Sequence, residues 1–394
     1  MSAPFRTHWS LDPEVRFLNH GSFGACPTAV LQQQSELRAR LEAEPVRFLH
    51  REVEPLLDEA RAALAAFVDA DPDDVSFVTN ATSGVNTVLR SLRFAPGDEL
   101  LTTNHEYNAS RNALEFVASQ WGAKVVVAKL PWPISSPDAV VDAVLAQVTP
   151  RTRLLLVDHV SSQTAVVMPV ARLITALRER GVETLVDGAH GPGMLPLSLR
   201  SLGAGYYTGN CHKWMCAPKG AAFLHVRRDL QPGLKPLAVS HGHNSGRTDR
   251  SRFRLDFDWT GTHDPSAALC VPHAIRFVGG LLPGGWPEVM RANREKALAA
   301  RKLLCARLQV EPDCPEEMVG SMATVRLPDG FPERPEPPLY VDPLHLRLFD
   351  EHRIEVPIVP WPKPPGRHVR VSAQLYNTHT EYQALGEALE ALLR

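Results

Sequence analysis

Short β-branched or apolar runs alternate with helical patterns through the first two thirds of the chain. The runs Val75–Thr79, Glu99–Thr103, Lys124–Ala128, Leu154–Asp158, Thr184–Asp187 and Ala221–Val226 predict strands. Between them, Val85–Leu92, Ala109–Gln120 and Val170–Arg180 carry the spacing of helices. Strands separated by helices need crossover connections, which predicts an α/β fold with a mostly parallel sheet covered by helices on both faces. In such sheets ligands sit beyond the carboxyl ends of the strands, so the residues just after each strand are the ones to read for chemistry.

The last third has a different texture. A long helical pattern covers Trp286–Leu308, and a terminal helix is expected over Thr378–Leu393. There Thr378 and Glu381 have capping-box spacing, and Tyr382, Leu385, Leu389, Leu392 and Leu393 share an apolar face. Residues 328–365 hold eleven of the 34 prolines. Proline fixes φ and removes a donor, so this stretch reads as loop and edge strand rather than helix. The chain therefore divides into an N-terminal arm (1–25), a large domain (26–280) and a smaller α+β C-terminal domain (281–394).

Composition narrows the function classes. With 42 basic against 44 acidic residues there is no excess of positive charge, which argues against a dedicated nucleic-acid binder. No apolar run approaches the ~18 residues needed to cross a bilayer, and the opening residues lack the apolar stretch of a signal peptide. The six cysteines are scattered without C-x-x-C spacing, the pattern of reduced thiols in a cytoplasmic protein. His241-Gly242-His243 lacks a third ligand at a convincing spacing, so no metal site is expected. Arg247, Arg250, Arg252 and Arg254 read as a solvated basic face, with Arg250 or Arg252 as the alternative holder of a distal substrate carboxylate.

Three segments carry candidate chemistry. In Gly209-Asn210-Cys211-His212-Lys213-Trp214 a lysine sits between histidine and tryptophan, unlike an ordinary surface lysine. A desolvated amine with a lowered pKa is what a pyridoxal 5'-phosphate (PLP) enzyme needs to form a Schiff base with the cofactor aldehyde. Leu185-Val186-Asp187-Gly188-Ala189-His190 is an apolar strand ending on an acid. Asp187 either caps the next turn or keeps a pyridinium nitrogen protonated, in which case His190 would donate to the phenolic oxygen. Thr79-Asn80-Ala81-Thr82-Ser83-Gly84-Val85 follows a strand and opens a helix, where free N–H groups suit either ordinary capping or a phosphate.

In this order, and together with Asn19-His20-Gly21-Ser22-Phe23-Gly24, His105-Glu106-Tyr107-Asn108-Ala109, Trp259-Thr260-Gly261-Thr262-His263-Asp264-Pro265 and Arg370-Val371-Ser372, these segments give a chain that resembles class V aminotransferase-like PLP enzymes of fold type I. The resemblance is nearest to the isopenicillin N epimerase-like branch and covers nearly the whole chain. It implies that Lys213 is the Schiff-base lysine and proton carrier, Asp187 the pyridinium partner, and Tyr107 a ring stacked on the pyridine face. Ala81, Thr82, Ser83, Asn210 and His212 would surround the phosphate. Thr262 would reach the phosphate of a neighbouring subunit, making the active form a homodimer. Arg370 would grip the α-carboxylate of an amino-acid substrate bidentately. Asn19, His20 and Ser22 would come from the arm beside that substrate. Without the resemblance, Tyr107 reads equally well as a core tyrosine and Arg370 as a surface arginine on an edge strand.

The resemblance points to epimerisation at an amino-acid α-carbon, with C–S lysis of a cysteine-derived substrate, transamination and a non-catalytic binding role as alternatives. Persulfide chemistry of the cysteine desulfurase kind is disfavoured, because the loop Pro357–Gly366 before the Arg-x-Ser motif contains no thiol.

Overall fold

A computed structural model describes residues 5–330 and 341–393. Among the described residues the largest sheet has seven strands: β1 (Val75–Val78), β2 (Glu99–Thr103), β3 (Lys124–Ala128), β4 (Thr152–Asp158), β5 (Glu183–Asp187), β6 (Tyr206–Asn210) and β7 (Ala222–Val226). Their order is β1-β7-β6-β5-β4-β2-β3. The β3, β2, β4, β5 and β6 strands run parallel, while β7 is antiparallel to both β6 and β1. The side-chain alternation of a strand explains why β4 reads as a continuous apolar run. Leu155 and Val157 pack into one core, Leu154 and Leu156 into another on the opposite face. Each such leucine contributes about 1.5–3 kcal/mol by leaving water.

The helices that matter most here are α1 (Thr28–Ala43), α2 (Val53–Phe67), α3 (Ala81–Ser91), α4 (Asn108–Trp121), α5 (Val170–Arg178), α6 (Gly285–Leu308), α7 (Pro343–His352) and α8 (His379–Leu392). The α6 and α8 helices cover a three-stranded antiparallel sheet of β8 (Met322–Leu327), β9 (Ile358–Pro360) and β10 (Arg367–Ser372). This sheet has its own apolar core, into which Leu18 of the N-terminal arm is inserted. The arm joins it through parallel pairing of Arg16 and Phe17 with Ile354 and Glu355. The expected capping box at Thr378 and Glu381 is present.

One strand was not predicted, and two expectations need correction. The strand β6, which leads to Lys213, has no alternation in Tyr206-Tyr207-Thr208-Gly209-Asn210 because all five residues are buried. The α3 helix starts a turn earlier than its apolar spacing suggests. The Asn80 Oδ1 accepts the N–H of Ser83 at 2.8 Å and sets the start there, so Thr82 to Gly84 are helical. Finally, the proline-rich stretch contains α7. Asp342 Oδ1 caps it by accepting from the Leu344 N–H, Pro343 occupies the first turn where no N–H is needed, and Leu344 and Leu348 face the core. Residues 331–340 of that stretch lie outside the described residues.

Candidate active site

The register of the parallel strands builds the floor of the site. Asp158 at the end of β4 lies opposite Asp187 at the end of β5, and β6 beside them leads into the turn carrying Lys213. A cleft over these strand ends is lined by Ser22, Phe23, Ala81, Thr82, Tyr107, Asp158, Ser162, Asp187, Ala189, His190, Asn210, His212 and Lys213. Sequence reading therefore brings most of its candidates together in one cavity of about 430 Å³.

Lys213 is half-buried in the wall of the cleft. Burial is the main force lowering its pKa, from 10.5 to about 8, and the charge of Arg370 adds to the effect while Asp187 and Asp158 oppose it. Its Nζ lies 3.0 Å from His190 Nε2. The Trp214 indole donates to His190 Nδ1 at 3.2 Å. Burial keeps His190 neutral, so an Nδ1 that accepts leaves the ring's proton on Nε2, facing Lys213. Once the amine has lost its proton it accepts from this N–H, and its lone pair is then a nucleophile.

Asp187 is 4% exposed, and its carboxylate accepts from Ser110 Oγ at 2.8 Å and from the Ala189 N–H at 3.1 Å. Burial nonetheless raises its pKa, so it gains from a cation placed against it. At the other end of the cleft stands the start of α3. Asn210 Oδ1 accepts from the Ala81 N–H at 2.8 Å, and the helix lies close on β6 because residue 84 is glycine. A Cβ there would fall 2.1 Å from Thr208 Oγ1. Gly24 presses equally closely on the reactive segment, at φ +70° and with no room for a Cβ beside the His212 carbonyl.

A buried amine, a carboxylate 26 residues earlier and a helix N-terminus across the same cavity fit the aldehyde, ring nitrogen and phosphate of PLP. Tyr107 is not a core residue. It precedes α4, is 43% exposed and forms part of the cleft wall. Its strand β2 lies on the far side of β5 from β6, so the tyrosine and Lys213 approach the Asp187 floor from opposite sides. Nor is Arg370 a surface arginine. It is 4% exposed on β10, and burial lowers its pKa to about 10. Its guanidinium donates to Ser22 Oγ at 2.8 Å and to the Ser162 carbonyl, so it stands directly behind two cleft-lining residues.

Other expected residues lie elsewhere. His20 is buried behind the lysine, bonded to Tyr376 Oη at 2.8 Å and to the Lys213 carbonyl at 3.1 Å, and burial drives its pKa to about 3. It supports the lysine turn instead of facing a substrate. Asn19 joins Ser22 to Glu355 and is outside the cleft lining. Ser83 and Thr262 line an adjoining cavity that shares Thr79, Lys219 and Gly220 with the cleft. The arginine run is not a free basic face. Arg250 and Arg254 pair with Asp58 and Asp258, Arg247 pairs with Glu54, and Arg252 donates to the carbonyls of Gly242 and Ser245. Neither Arg250 nor Arg252 lines the cleft.

Asp158, Ser110, Ser162 and Trp214 belong to the site and were missed from sequence. Asp158 had a signal, since Leu154-Leu155-Leu156-Val157-Asp158 repeats the apolar-run-then-acid pattern of Leu185-Val186-Asp187. Ser110 and Ser162 had none, because their contacts are with residues 77 and 208 positions away.

The comparisons with known proteins agree with this geometry. Residues 19–304 match the family described as aminotransferase class-V. The chain is 40% identical to the isopenicillin N epimerase of Amycolatopsis lactamdurans, over 98% of this chain and 97% of that one. It is 33% identical to a probable chloroplastic L-cysteine desulfhydrase of Arabidopsis thaliana, over 97% of this chain and 84% of that one. Among solved structures, a cystine C–S lyase in complex with its product cysteine persulfide superposes with a TM-score of 0.78 at 20% identity, covering 96% of this chain and 97% of that one. The chain belongs to the aminotransferase class-V family and is a PLP-dependent enzyme of fold type I.

Proposed function

We propose that this enzyme inverts the α-carbon of an amino-acid substrate, in the manner of its isopenicillin N epimerase relatives. The observation that carries the reading is the buried Lys213 amine facing Asp187 across a cleft backed by Arg370, combined with the 40% identity to an epimerase along nearly the whole chain. The bound cofactor supplies an electron sink for the charge left when the α-proton departs. Lys213 Nζ, whose lowered pKa leaves part of it neutral near pH 7, takes that proton from one face, and inversion is completed by a proton delivered to the opposite face of the α-carbon. Arg370 turns from Ser22 and Ser162 to the α-carboxylate, holding the α-carbon over the lysine. His190 Nε2–H would donate to the phenolic oxygen, and the first turn of α3 with Asn210 and His212 would hold the phosphate.

The active form is a homodimer in this reading, with Thr262 reaching the partner's phosphate site. Its support is the position of Thr262 in a cavity that adjoins the cleft. An intracellular location is supported by six cysteines that are all free thiols.

The test is incubation of candidate amino acids with the holoenzyme in heavy water. Deuterium at the α-carbon with loss of optical purity is the expected result. Pyruvate with ammonia from cysteine would instead favour the desulfhydrase-like reading that the second group of relatives represents. A keto acid with a colourless cofactor would indicate transamination.

A further inference from the structure

The floor of the cleft contains more acid than the proposed chemistry uses. Glu106, Asp158 and Asp187 each bring a carboxyl oxygen within 4.8 Å of the others, and all three are buried. Asp187 has two donors and Glu106 accepts from Thr102 Oγ1 at 2.8 Å. Asp158 has only the backbone N–H of Tyr107 nearby. It is 4% exposed, lines the cleft beside Lys213, and both its oxygens lack a partner, as does Glu106 Oε1. An ionised carboxyl group is acceptor-only, and two of them side by side supply no donor to each other. A buried, unpaired carboxylate is costly unless a proton or a cation meets it.

We propose that Asp158 is a second carboxyl partner of the cofactor ring, sharing one proton with Glu106 behind it, so that the floor presents the charge of two carboxylates to the ring nitrogen rather than one. A proton between Asp158 and Glu106 turns one of the two into a donor and removes the worst repulsion of the cluster. The pair keeps one negative charge, next to Asp187, in register across two adjacent parallel strands. That charge favours the protonated form of a nitrogen seated against Asp187. Burial raises the pKa of Glu106 to about 7 and that of Asp158 well above the usual carboxylate range, in keeping with a retained proton. The other groups facing the cluster are Ser110 and Arg111 from α4, Tyr207 from β6, and Lys213 and Arg370 around the cleft. Arg111 is engaged with the Thr103 carbonyl and Glu115, and Lys213 lies against His190, so none of them pairs directly with Asp158.

The inference rests on PLP binding and is independent of which reaction follows. Infrared spectra of the cofactor-free wild type at pH 6 should show a protonated-carboxyl band that is absent in Asp158→Asn. Absence of the band in the wild type overturns the proposal without recourse to any variant. Titration with PLP, followed by visible absorption, should show Asp158→Asn binding roughly tenfold more weakly, the effect of moving the pair's one charge from Asp158 in the cleft back to Glu106 behind it. Glu106→Gln, which leaves Asp158 in place, should lose less. Inorganic phosphate, as a probe of the α3 end alone, should compete equally well in wild type and Asp158→Asn. Unchanged PLP affinity, or an equal loss for phosphate and PLP, would refute a role directed at the ring.

Discussion

Replacing Lys213 by methionine should make the cofactor-free protein more stable at neutral pH, although it abolishes the chemistry. The wild-type amine is held at about 8 in the fold against 10.5 when exposed. Below both values it is charged in either state, and the fold carries the cost of burying that charge, about 3 kcal/mol for the difference of some 2.5 units. Methionine keeps the length and apolar bulk of the side chain without the charge. It also forfeits the contact with His190, worth about 1 kcal/mol, which leaves a net gain of roughly 2 kcal/mol. The sign of the pH dependence follows from linkage. Between about pH 8 and 10.5 the unfolded wild type binds more protons than the folded one, so wild-type stability rises with pH relative to the variant. The advantage of Lys213→Met should therefore be constant below pH 8, shrink above it, and reverse before about 10.5 to a deficit of about 1 kcal/mol, the lost His190 contact. Urea denaturation of both cofactor-free proteins from pH 6 to 10.5 measures it directly. A variant that is less stable at pH 7, or a gap that ignores pH, would refute the picture of a desolvated, charge-averse amine.

Three further outcomes are expected. Arg370→Lys should lower kcat/KM for the amino-acid substrate by roughly tenfold to a hundredfold through loss of a bidentate grip, with the visible cofactor band unchanged; an unaltered kcat/KM would place the carboxylate elsewhere. Gly24→Ala should cost about 1–3 kcal/mol, because φ +70° and the His212 carbonyl 2.2 Å from the new Cβ both oppose it, and thermal denaturation reads this as a lowered Tm. Trp214→Phe removes the donor that fixes the His190 proton on Nε2, so attachment of the cofactor to Lys213 should slow severalfold, about 1 kcal/mol, in stopped-flow absorbance; an unchanged rate would mean that another contact sets the tautomer.

Much of the fold was legible because the central strands are buried on both faces and their apolar runs end on chemically distinctive residues. Asp187 and Lys213 stood out for that reason, and Tyr107 was found through the segment around it. The tyrosines of β6 were not legible as a strand, since five consecutive buried residues carry no period. The α7 helix was hidden by prolines that lie at its start or outside it. His20 shows a subtler limit. Its proximity to the site was readable, but whether its ring faces substrate or the back of the lysine turn depends on Tyr376, 356 residues away. The arginine run failed similarly, because the acids that neutralise it come from α2 and from the far end of its own short helix.

The N-terminal arm has a mechanical consequence. Arg16 and Phe17 are strand-paired next to the C-terminal sheet, Leu18 is planted in that sheet's interior, and only six residues later Gly24 abuts the backbone of the reactive lysine. That short tether couples the two ends of the polypeptide to the centre of the larger sheet. Tilting of the C-terminal layer would pull on the lysine turn as well as on Arg370, so carboxylate capture and amine placement would shift together rather than independently.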